Sequence, residues 1–160
     1  MKPSEELFEL IKSLNKSEKR YFRLNFRGKE NARYLLLFDE ISNQEIYNEQ
    51  LIKEKFQDEK FVKQLTFTKN YLYNSILNSL ISFNRAGSTE IQLTEMVIKL
   101  RILFDKNLFG QYFKLVRKFK EKAWEYEKFY ILLELLRLQR LISEARRFRT
   151  AKQDLIYDEE

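Results

Sequence analysis

Apolar residues recur along this chain at the three- and four-residue intervals of amphipathic helices, and three glycines with one proline leave few of the tight turns that hairpins need. Leu7, Phe8, Leu10, Ile11 and Leu14 form the first such stripe, with Ser4 as its cap, Glu5 and Glu6 in its first turn, and Asn15 closing it. Ser17-Glu18 repeats the opening signal for a helix to about Arg27, stopped by Gly28; Asn31 opens a third through Tyr34, Leu35, Leu37, Phe38 and Ile41. A fourth helix is predicted over 48–56 and a long one over 59–83, where Phe61, Leu65, Leu72, Ile76, Leu80 and Phe83 recur near helical period. At 1.5 Å per residue that element would extend about 35 Å, the spine of the N-terminal half.

The only loop-rich segment in the middle is Asn84 to Thr89, which divides the chain into subdomains 1–84 and 89–160. Three further helices are predicted at 90–104, 108–126 and 128–149, joined by breaks so short that successive helices must run antiparallel. The middle one has an apolar face of Phe109, Tyr112, Val116, Phe119, Ala123 and Tyr126, opposite Lys114, Lys118 and Lys122. In the last, Phe129, Ile131, Leu132, Leu133, Leu135, Leu136, Leu138, Leu141 and Ile142 surround most of the circumference, which predicts a helix sandwiched between neighbours. The fold class is all-α, with antiparallel helix pairs stacked as a short α-solenoid or bundle.

Residues 100–112, with the helix that follows through Tyr126, resemble the first helix, turn and second helix of a tetratricopeptide-type repeat. Tyr112 stands where such repeats usually carry a small residue, and Asn107 where a turn glycine is usual. The run from Leu7 to Phe22, with Phe61 to Leu65 and Thr68 to Tyr73, is similar to the start of an uncharacterised bacterial family of larger tetratricopeptide-like helical proteins. The resemblance implies the N-terminal part of a longer helical array, and no activity comes with it. An unfinished array leaves an apolar end face, which predicts self-association through the C-terminal helix or a partner docked there.

Composition narrows the chemistry. The chain has no histidine and no cysteine, which removes Ser-His-Asp and Cys-His nucleophiles, thiolate or imidazole zinc sites and disulfides. Gly28, Gly87 and Gly110 are isolated from one another, so no glycine-rich loop cradles a nucleotide phosphate. Glu121 and Glu125 lie one helical turn apart, but Lys118, Lys122 and Lys128 interleave with them, the pattern of a solvated ion-paired face rather than a cation site. The expectation is no enzyme, no metal and no cofactor. No apolar h-region opens the chain and no run is long enough to span a membrane, so the expected location is cytoplasmic and reducing.

A net charge of +6 permits acidic partners without demanding them. Lys16, Lys19, Arg20, Arg23 and Arg27 project from one side of the second helix, with Lys29 and Arg33 nearby. Arg137, Arg140, Arg146, Arg147, Arg149 and Lys152 load the end of the last helix, where cations also complement the helix dipole. Both stripes read either as contacts to phosphate or an acidic partner, or as solvated faces. Asn70, Asn74 and Asn78, beside Ser75 and Ser79, form a polar line that suits a peptide-binding groove or close helix packing. The aromatics Tyr21, Phe22, Phe26, Tyr34, Phe38, Phe67, Tyr71 and Tyr73 interleave with basic residues, yet their helical spacing predicts core.

Two functions fit. The first is a non-enzymatic scaffold for protein or peptide binding, whose complexes survive moderate salt. The second is a nucleic-acid-associated protein gripping the phosphate backbone through Lys16, Lys19, Arg20, Arg23 and Arg27, with Arg137, Arg140 and Arg147. Its affinity would fall steeply between about 50 and 200 mM salt.

Overall fold

A computed structural model describes the backbone of residues 3–28 and 31–157 and the side chains of residues 5–28 and 31–144. Its described residues form α-helices joined by short turns: α1 (Pro3–Ser13), α2 (Lys16–Asn25), α3 (Ala32–Asn43), α4 (Glu49–Lys55), α5 (Leu65–Asn84), α6 (Thr89–Asp105), α7 (Phe109–Glu125) and α8 (Phe129–Tyr157). The chain divides into two compact units, Met1–Asn84 and Arg85–Glu160.

The helix boundaries follow local chemistry. α1 already includes Pro3, whose missing N–H costs nothing in a first turn, so Ser4 lies inside the helix rather than capping it. α2 begins earlier than Ser17 predicts: the Asn15 side chain accepts the Glu18 N–H, and the Glu18 carboxylate accepts the Asn15 N–H at 2.8 Å, a reciprocal capping box. The predicted long helix opens instead as a 3-10 segment, Lys60–Gln64, before α5 takes over at Leu65. Gly28 has φ +155°, a backbone state that side-chain-bearing residues rarely adopt, but it lies beyond α2, which ends at Asn25 with Phe26 as its C-cap rather than near Arg27.

In the first unit α1 lies against α3 and α5, and α2 lies against α5. Leu7 and Ile11 of α1, Phe22 of α2, Leu37, Phe38 and Ile41 of α3, Ile52 of α4 and Leu72 and Ile76 of α5 meet in one core, all essentially without solvent contact. Burial of this order, roughly 1.5 to 3 kcal/mol per large apolar side chain, is the main term holding short helices that would be marginal alone. One charge is enclosed with them. Lys69 on α5 is 3% exposed, and its ammonium meets the Glu49 carboxylate at 2.5 Å and the Tyr47 hydroxyl at 3.4 Å. Glu49 is also paired with Lys53 at 2.7 Å.

In the second unit α6, α7 and α8 pack pairwise around Leu93, Leu100, Tyr112, Val116, Ala123, Leu135 and Ile142. The two turns between them share one design. After α6, the Leu108 N–H reaches Leu103 O and the Asn107 N–H reaches Phe104 O; after α7, the Lys128 N–H reaches Ala123 O and the Glu127 N–H reaches Trp124 O. These are paired Schellman closures, and they put Asn107 at φ 57° and Glu127 at φ 54°. Asn tolerates the left-handed region; Glu does so only at about 1 kcal/mol. Glu127→Gly is therefore expected to stabilise the second unit by about 1 kcal/mol, and Asn107→Gly by less. Urea unfolding followed by the emission of Trp124, the single tryptophan of the chain, checks the order.

The structure corrects two expectations about burial. α8 is not sandwiched: Ile131, Leu135, Leu138 and Ile142 turn into the core, while Phe129, Leu133 and Leu136 on the opposite side are half or more exposed. Its apolar circumference exceeds what two neighbouring helices can cover. Phe67 and Tyr71 are likewise at the surface, because the buried line of α5 passes through Leu65, Leu72 and Ile76 and leaves the position of Phe67 facing outward.

Candidate functional site

Among the described residues of the second unit, large apolar side chains are exposed along the α7–α8 pair. Trp124, in the last turn of α7, is 68% exposed and meets Phe129, the first residue of α8, edge to face at 5.8 Å. Leu133 (67% exposed) and Leu136 (50%) continue the stripe at four and seven residues from Phe129, which is one face of a helix. Between the helices a shallow cleft of about 410 Å³ is lined by Trp124, Leu132 and Leu136, with Lys120 and Glu121 at its edge.

Charge is unevenly placed around that stripe. At the end nearest the α7–α8 turn, Glu121, Glu125 and Glu127 are exposed, and Glu121 and Glu125 make no ion pair among the described residues. At the other end Arg137 and Arg140, 70% and 80% exposed, pair among the described residues with Glu134 and Glu144 of their own helix. Tyr130, beside the stripe, donates to Glu90 at 3.0 Å. Arg146, Arg147, Arg149 and Lys152 lie outside the described side chains.

The basic side of α2 is partly engaged within its own unit. The Arg23 guanidinium holds Asp39 at 2.7 Å, and the Lys19 ammonium donates to the Ser42 hydroxyl at 3.1 Å. Lys12 donates to the Ser42 carbonyl, so cations of α1 and α2 gather at the C-terminal turn of α3, where the helix dipole favours them. Partial burial, reinforced by the charges of Lys12 and Arg23, holds the Lys19 ammonium below the usual lysine range. Lys16, Arg20 and Arg27 make no ion pair among the described residues, Arg33 sits over the Tyr34 ring at 4.8 Å, and Lys29 lies outside the described residues. α2 ends at Asn25, so Arg27 falls beyond it, and the helix itself presents two outward cations, Lys16 and Arg20, rather than five.

The polar line of α5 borders a second depression, about 350 Å³, between α2 and α5. Phe22 and Phe26 form its floor, and Ser75, Asn78, Ser79 and Asn25 its walls; Asn70 and Asn74 are not part of it. Three of the polar groups that line it, Ser82 included, satisfy their own backbone: Ser75 donates to Tyr71 O, Ser82 to Asn78 O, and Asn25 to Tyr21 O. Such back-bonding removes donors that a bound peptide would need. Among the described residues no group of three carboxylates, histidines or cysteines is placed to hold a metal ion, and no helix is long and apolar enough to cross a membrane.

Sequence reasoning had marked the arginines of α8 but not Trp124. The signal was present: an aromatic at the end of α7, followed across a three-residue turn by Phe129 and Leu133, lies on the side of each helix away from its buried line. No protein family, no curated protein and no solved structure matches this chain.

Proposed function

We propose that this chain is a non-catalytic helical scaffold that binds protein or peptide on the open face of α7 and α8. The observation that carries the reading is the continuous exposure of Trp124, Phe129, Leu133 and Leu136 beside an apolar cleft. Scattered apolar residues are ordinary on a protein surface, whereas a contiguous aromatic and aliphatic patch rimmed by charge has the make-up of an interface. Tryptophan and arginine, both present, are the residues that most often dominate binding energy.

The tetratricopeptide-like reading of this half belongs to the same proposal. In its favour, α6 and α7 each span 17 residues and end in the same Schellman turn, so one helix-turn unit occurs twice. α8 starts forty residues after α6, a longer period than the 34 of tetratricopeptide repeats and within the range of other two-helix arrays. Tyr112, fully buried, stands where a tetratricopeptide repeat usually carries a small residue, a second departure from that family's pattern.

A library of amphipathic helical peptides, screened by display and then titrated calorimetrically, tests the scaffold. Binding that changes little between about 50 and 200 mM salt and is lost in Leu133→Glu is the expected outcome. The same range applied to random single-stranded and duplex oligonucleotides, read by fluorescence anisotropy, gives the opposing arm. Micromolar oligonucleotide binding with a steep salt slope, weakened by Arg20→Glu, would move the function to nucleic acid.

A further inference from the structure

The α8 face is built to match itself. We infer that two copies of this chain pair through antiparallel α8 helices, with the two-fold axis at Leu133; this rests on the α7–α8 face being the binding surface. A symmetric pair needs a patch whose two ends complement each other, since residue i meets j while j meets i. Along α8 the exposed order is aromatic, aliphatic, cationic: Phe129 and Tyr130, then Leu133 and Leu136, then Arg137 and Arg140. Antiparallel pairing centred on Leu133 carries residue 133 + n of one copy over 133 − n of the other. Leu136 then faces Tyr130, Arg137 faces Phe129, and Arg140 lies past the start of the partner's α8, at the α7–α8 turn that carries Glu125 and Glu127.

Each juxtaposition is favourable in kind. Leu133 meets its own copy and Leu136 an aromatic ring, apolar on apolar. Arg137 over Phe129 is a guanidinium over a ring face. Arg140 arrives at two exposed carboxylates, and the pair of arginine–acid contacts is formed twice. Parallel pairing would instead stack arginine on arginine and acid on acid. One helix face with Trp124 at its margin is small beside the roughly 800 Å² per partner of a stable interface, so the dimer is weak and forms only at high protein concentration.

Sedimentation velocity on the full chain from about 5 to 500 μM is the test. The expected result is a monomer–dimer equilibrium that Leu133→Glu weakens at least 30-fold with an unchanged helical circular-dichroism spectrum. Arg140→Glu is expected to weaken it about 5-fold or more, and adding Glu127→Arg in the same chain to restore at least half of that loss, because the swap re-creates the 127–140 ion pair in reverse on each side of the axis while Glu125 stays in place. A chain that stays monomeric throughout, or a dimer indifferent to Leu133→Glu, overturns the pairing. A monomer that still binds helical peptides through Leu133 overturns the pairing alone; one that binds none overturns the scaffold reading as well. A dimer lost in Leu133→Glu but not rescued by the charge swap overturns the antiparallel register.

Discussion

Tyr112→Phe is expected to stabilise the second unit by about 1 kcal/mol, although it removes a polar group and adds none. Tyr112 has no solvent exposure, and its hydroxyl finds no hydrogen-bond partner. A hydroxyl stripped of water without replacement costs about 1 to 3 kcal/mol, while the ring supplies the packing that α7 needs between α6 and α8. Tyr112→Ala separates the two contributions: deleting the ring leaves a cavity among Leu93, Leu100 and Leu138 and is expected to cost about 3 to 5 kcal/mol. Burial, with the nearby negative charge of Glu134, pushes the phenol up to about 12 from 10. The folded state therefore favours the neutral phenol. Its contribution is complete below pH 10 and is lost as pH rises toward 12, so alkaline unfolding should begin later in Tyr112→Phe than in the parent. Urea titrations of Trp124 emission at neutral and alkaline pH measure both effects; a Tyr112→Phe variant less stable than the parent would mean that the hydroxyl has a partner after all.

Glu49→Ala is expected to destabilise the first unit more than Lys69→Met does, by about 2 to 4 kcal/mol against 1 or less. The asymmetry follows from burial. Lys69 is 3% exposed, and losing Glu49 removes the carboxylate bonded to its ammonium within a closed core. Glu49 is about a third exposed and keeps Lys53 and water when Lys69 becomes methionine, whose unbranched thioether fills the same channel. Hydrogen bonds from Lys53 and Lys69 hold the Glu49 carboxyl down at about 2, against 4.5 when unperturbed. A carboxyl with a depressed folded value contributes stability that is fully present above its unfolded value and is lost as pH falls through the folded one. The parent should thus lose this contribution between pH 4.5 and about 2, and Glu49→Gln should flatten the stability profile over that interval. Thermal melts by circular dichroism from pH 6 to 2 read both comparisons, and equal destabilisation by Glu49→Ala and Lys69→Met would sink the buried-charge account.

Both predictions concern residues whose helices were legible while their surroundings were not. The periodicity of Leu7, Ile11, Leu72 and Ile76 identifies faces without reference to anything distant, and these residues are buried as their spacing predicts. Lys69 is different. It occupies a core-facing position that any pattern reader assigns to solvent, and only the arrival of Tyr47 and Glu49, 22 and 20 positions earlier, makes the burial tolerable. The stripe of α2 shows the same limit: periodicity puts Lys16, Lys19, Arg20, Arg23 and Arg27 on one side, but α2 ends at Asn25, short of Arg27, and Asp39 and Ser42 of α3 decide which of the others remain outward.

The candidate face divides along the same line. The sequence by itself determined an all-helical chain, the break near Asn84, the three closely joined helices that follow and the absence of histidine and cysteine chemistry, since caps, turns and period act within a few residues. Only the tertiary structure decided that α8 buries one side and leaves Phe129, Leu133 and Leu136 uncovered, that Trp124 joins them, and that Tyr112 is enclosed with its hydroxyl unpartnered. A helix apolar on every side carries no mark of which side its neighbours will take. That choice comes from how many helices there are to cover it and where the turns at Asn107 and Glu127 aim them.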